Sequence, residues 1–166
     1  MAMKFAAAFL SLILILFDNQ DASAHQQDSI FDKGRFYKAM ESSDKKLVDK
    51  ELDHLKELEF PNKEAYIGAL NMLKASFPAS ASRKLNLFKA GHKQLEAAIR
   101  KDSQNAELRF LRLMIQENAP RILGYKNDLE KDSAYIRKSF STLPEIVQQA
   151  ILNYSKKSKI LKPADS

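Results

Sequence analysis

NAELRFLRLMIQENAPRILGY, residues 105–125, is the stretch on which the fold turns. Placed on a helix at about 100° per residue, Leu108, Leu111 and Ile115 fall to one side, and Phe110, Leu113 and Met114 cover most of the rest. Asn105, Arg109, Arg112 and Gln116 line up as one narrow polar strip. A helix apolar over so much of its girth must be covered on two or three sides. The chain around it therefore has to supply other helices.

It does. Apolar residues return with the helical period through most of the chain, and alternation with period 2 is nowhere sustained. The spacing predicts helices over about 30–41, 44–58, 63–76, 82–101, 106–117, 128–140 and 145–157. Ser42-Ser43-Asp44 stops the first helix and caps the second, and Phe60-Pro61-Asn62 breaks the chain so that Asn62 caps the third. Thr142-Leu143-Pro144-Glu145 reads as a capping box with proline in the first turn. Connections of a few residues make successive helices antiparallel neighbours. The fold class expected is all-α, about seven helices in antiparallel hairpins.

Residues 63–107 resemble a degenerate tetratricopeptide repeat. Gly91, Leu95, Ala98 and Ser103, followed by QNAE, occupy the spacing with which that family closes a helix pair, and Gly68-Ala69 is the small pair of the preceding helix. The resemblance implies TPR-like, right-handed helical-repeat packing, with small residues letting neighbouring helices approach. Ser103 stands where the family places a turn proline, the ASFPASASRK connection is long, and no second copy with the family period follows. The chain from residue 25 on also resembles small exported bacterial proteins.

The first 24 residues read as a secretory signal peptide. Lys4 gives a basic start, Phe5–Phe17 is an uncharged apolar run, and Ala22-Ser23-Ala24 offers a small-x-small cleavage signal, with cleavage expected between Ala24 and His25. The run of 13 residues is short of the roughly 20 that span a bilayer, so no transmembrane span is expected in the mature chain. The expected organisation is a signal peptide at 1–24, a single helical domain at 25–157, and a flexible basic tail at 158–166. With no cysteine in the sequence, a disulfide, a lipidated cysteine and a thiolate metal site are all excluded. The reading is of an exported, periplasmic or secreted bacterial protein.

Removal of residues 1–24 leaves 26 basic and 19 acidic residues, a balance of +7. No basic block is interleaved with aromatics as single-strand nucleic-acid binders require, so nucleic acid is not an expected partner. Lys156, Lys157, Lys159 and Lys162 either meet an anionic envelope surface or are simply solvated.

The chemistry-bearing candidates are few. Arg109 and Arg112 either pair with acids such as Glu107, Glu117 or Asp128, or join Gln116, Arg121 and Tyr125 in a groove that grips a partner's carboxylate or an acidic small ligand. His92 and Glu96 stand four apart, as two metal ligands on one helix face could, yet no HExxH pattern or third ligand accompanies them. Neither a nucleophile elbow, a glycine-rich phosphate loop nor a dinucleotide fingerprint is present. No metal or other cofactor and no catalytic residue is expected. The sequence points to a non-enzymatic interaction or accessory protein that binds a protein or peptide partner. Its alternative is an acidic-ligand binder or weak hydrolase with a pocket lined by Arg109 and Arg112.

Overall fold

The computed structural model describes residues 30–162. Among them are seven α-helices and no strand: α1 (Lys33–Glu41), α2 (Lys45–Glu57), α3 (Lys63–Lys74), α4 (Ala81–Lys101), α5 (Ala106–Asn118), α6 (Leu129–Ser139) and α7 (Glu145–Ser155). Single 3₁₀ turns at Arg121–Leu123 and Phe140–Thr142 flank α6. No described helix is long and apolar enough to cross a membrane. The expected signal peptide and its Ala24/His25 cleavage point lie outside the described residues.

Local chemistry sets most of the boundaries. Asp32 accepts from the N–H groups of Gly34 and Arg35, so α1 starts at Lys33 rather than at Ile30. Asp44 caps α2 through the Lys46 N–H, and Asn105 caps α5 through the Leu108 N–H. Two expected caps do not form. Asn62 stands at the start of α3 with φ 60°, in the left-handed region, and its side chain makes no capping hydrogen bond. The expected capping box fails because Phe140–Thr142 winds into a 3₁₀ turn, in which the Thr142 hydroxyl donates back to the Ser139 carbonyl at 2.7 Å. Pro144 is then the residue that opens α7.

α5 is the centre. Every residue from Ala106 to Gln116 is buried, because α3, α4, α6 and α7 all lie against it. The most extensive helix pairing is α3 against α4. It is close because of two glycines. A Cβ on Gly68 would stand 2.7 Å from the Gly91 carbonyl oxygen, and one on Gly91 would strike the Gly68 carbonyl harder still. The two backbones meet where any side chain would hold them apart.

α4 is longer than its partners can cover. Its buried residues are Gly91, Leu95 and Ile99, all in the C-terminal half. The N-terminal half, from Ala81 to Ala90, contains no buried residue.

Of the tail expected to be flexible at 158–166, residues 158–162 are among those described, and 158–161 make defined contacts. The Glu117 carboxylate accepts from the Tyr154 hydroxyl at 3.0 Å, the Ser158 hydroxyl at 2.6 Å and the Lys159 N–H at 2.5 Å. Ser133 donates to the Ile160 carbonyl, and Leu161 is 1% exposed. Residues 158–161 are held because one carboxylate at the end of α5 offers acceptors to both α7 and the strap behind it.

Candidate functional site

The polar strip of α5 faces α6. Asp132, 0% exposed, receives Arg112 Nε at 2.6 Å and Nη2 at 2.8 Å, and Arg109 Nη1 at 2.9 Å. Arg109 spends its remaining nitrogens on the Ser103 carbonyl at 3.0 and 2.7 Å, and its guanidinium lies 4.5 Å from the centre of the Tyr135 ring. Arg112 Nη1 reaches Glu96 on α4 at 3.1 Å and Asp128 at 3.6 Å. Burial disfavours the charged form of Arg112, but the Asp132 hydrogen bonds and the surrounding carboxylates outweigh it and hold the guanidinium protonated.

The network extends sideways through Glu96. Its second oxygen accepts the Tyr125 hydroxyl at 2.5 Å. Burial, reinforced by that carboxylate, pushes the Tyr125 pKa up, so the phenol remains a donor. The Tyr125 ring stands edge-on to His92 at 4.6 Å and to Phe88 at 5.7 Å. Gln116 is fully buried, and its Nε2 reaches Asp128 at 3.5 Å.

Arg109, Arg112, Gln116 and Tyr125 thus do come together, but around carboxylates of the same chain. Every guanidinium nitrogen of the two arginines is engaged. Of the two arrangements open to the arginine strip, the one present is pairing with acids of the same chain, an internal ion-pair network joining α4, α5 and α6. Its principal acid, Asp132, carries no mark in the sequence beyond being one of two carboxylates on α6, the other being Glu130. Of the acids anticipated, Asp128 takes part. Glu107 instead pairs with Lys33 and accepts the Tyr37 hydroxyl, and Glu117 holds the strap. Arg121 is not in the network; it is exposed on the turn before Tyr125. His92 is packed on aromatic rings and Glu96 is doubly bonded, so the pair serves structure. No group of three or more metal-ligating side chains occurs among the described residues.

A second feature lies beneath the overhanging half of α4. A groove of about 590 Å³ opens there, floored by Met40, Met72 and Met114 from the ends of α1, α3 and α5. One wall is Leu85 and Phe88 of α4; the other is Ile122 and Leu123 on the 3₁₀ turn after α5. Leu85 is 39% and Ile122 is 94% exposed. Lys84 and Lys157 stand at its edge and Glu41 is the one acid in its lining. The sequence carries a faint trace of this site. Leu85, Leu87 and Phe88 sit in a half-helix rich in polar residues, and nothing else in the reading required a surface to cover them.

Comparison of the chain with family models, with curated proteins and with solved structures gives no match.

Proposed function

We propose that this chain is an exported, non-enzymatic interaction module of the bacterial envelope, which receives a protein or peptide partner in the groove under α4. The observation that carries this reading is the apolar wall of α4, Leu85 and Phe88, standing over a methionine floor that no helix among the described residues covers. Exposed apolar surface gathered in one concavity marks a place of interaction. The close Gly68–Gly91 approach supports treating α3 and α4 as a degenerate repeat pair whose open side presents that surface. Export is supported by the charge, length and small-residue pattern of residues 1–24.

The test has two arms. Fractionation of cells producing the full chain, followed by N-terminal sequencing, should recover a periplasmic or secreted form starting at His25. Capture from the same fraction should then be compared between the wild type and Leu85→Glu/Ile122→Glu. Both substitutions fall on exposed positions, so the melting temperature should be unchanged. A partner held equally well by the variant would refute the groove.

A further inference from the structure

We infer that the occupant of the groove under α4 is an acidic amphipathic helix; this rests on the interaction reading above and specifies its partner. Four observations converge on it. The first is shape. The groove is bounded by a helix along one side and by helix ends below, and no sheet edge exists among the described residues to pair with an extended peptide. A segment entering it has to satisfy its own backbone, which a helix does internally.

The second is the height of the rim. Ile122 projects 94% exposed from the turn opposite α4. A small molecule sunk between the walls leaves it in water. A helix, about 10 Å across with its side chains, covers the floor and still reaches both rims. Leu85 and Phe88 stand one turn apart on α4 and form a ridge against which a second helix can pack.

The third is the floor. Three of the protein's five methionines, Met40, Met72 and Met114, meet there. Unbranched, polarisable side chains adapt to the large apolar residues of a helical ligand.

The fourth is charge. Lys84 and Lys157 flank the opening, and neither makes an ion pair among the described residues. Lys157 Nζ rests 5.4 Å from the centre of the Tyr154 ring. Arg121, on the same turn as Ile122, is exposed as well. Against these cations the lining holds one acid, Glu41, so the rim is net cationic over an apolar interior, and the whole chain carries a formal charge of +6. Carboxylates flanking the apolar stripe of the ligand complement it. The same charges oppose a two-fold dimer through this face, which would bring the lysines of both copies together.

The experiment is a fluorescence-anisotropy titration of the protein, as recovered from the producing cell, with three labelled peptides. One carries leucines at i, i+3, i+4 and i+7 with glutamates elsewhere; the second replaces the glutamates by lysines; the third is the acidic peptide broken by central prolines. The acidic helix should bind about tenfold or more tightly than either control. Leu85→Glu/Ile122→Glu should abolish that binding, and Lys84→Glu/Lys157→Glu should turn the preference toward the lysine peptide. Circular dichroism and melting temperature confirm that both variants fold. Equal binding of both charge types, indifference to the lysine reversals, or no saturable binding of any peptide overturns the inference. So does groove-dependent binding to anionic vesicles instead, or self-association through this face in sedimentation. In each of these cases, a captured partner still lost from Leu85→Glu/Ile122→Glu leaves the broader groove reading standing. A partner retained by that variant removes both.

Discussion

Asp132 and Arg112 form a two-pronged pair, Nε to Oδ2 at 2.6 Å and Nη2 to Oδ1 at 2.8 Å, with the carboxylate wholly enclosed. Planar guanidinium and planar carboxylate match in this geometry, which a lysine could not reproduce. The pair fixes the rotation of α5 relative to α6.

Removal of Asp132 should therefore be severe. Asp132→Ala leaves two buried guanidinium groups without their shared anion, and the expected loss is about 3–5 kcal/mol of unfolding free energy. Arg109→Gln should cost less, roughly 1–2 kcal/mol, since Asp132 keeps both contacts from Arg112. Urea denaturation of the two variants checks the order. Equal, small losses would show that the network adds little to stability.

At Gly91 the obstacle is backbone. Gly91→Ala drives a methyl group into the Gly68 carbonyl, which cannot swing away as a side chain would. The helices α3 and α4 must separate or shear, at a cost of about 1–3 kcal/mol. Gly34→Ala is the control, because its nearest obstacle is the Asp32 side chain at 3.1 Å. Thermal unfolding should show a clear drop for Gly91→Ala and a smaller one for Gly34→Ala.

Leu161 distinguishes a packed strap from a loose tail. Its side chain is 1% exposed at the edge of the bundle, so Leu161→Ala should cost about 2–3 kcal/mol, the lower end for a buried leucine. Hydrogen exchange should show the Lys159 and Leu161 amides protected through Glu117 and the Ser158 hydroxyl, respectively. An unchanged melting temperature for the variant would mean that the strap contributes nothing.

Glu117 should make that strap sensitive to acid. Burial raises its pKa, but hydrogen bonds from Ser158, Lys159 and Tyr154 outweigh burial and leave it below the ordinary value. A carboxylate whose pKa is lower folded than unfolded adds stability above its unfolded value, about 4.3 for glutamate. That contribution is lost as the pH falls through the folded value. The stability difference between wild type and Glu117→Gln should then be constant near neutrality and shrink below about pH 4. The difference also removes the opposite trend of Glu51, which burial raises despite Arg35. A difference independent of pH would show that Glu117 does not hold the strap as an anion.

The helices were legible because their information is local. Asp44 and Asn105 cap what they precede, and the apolar girth of 106–116 announces a central helix. Gly68 and Gly91 were visible as small residues on facing helices. Asp132 was not, because helix periodicity places the arginines on a face without identifying which of many carboxylates a neighbouring helix brings to it. The groove was hidden for a related reason. Leu85 and Phe88 look like core residues, and only the lengths of the surrounding helices leave them overhanging.

The amino-acid order by itself determined the class of fold, the number of helices and the choice of α5 as the buried centre, since hydrogen bonding within a helix and the period of its apolar face involve residues close in the chain. Tertiary packing alone decided that Arg109 and Arg112 close on Asp132, that Glu117 straps down residues 158–161, and that α4 runs past its neighbours to leave a groove. Those outcomes depend on which groups meet across 20 to 42 residues of chain, a relation set by helix length and rotation rather than by any local pattern.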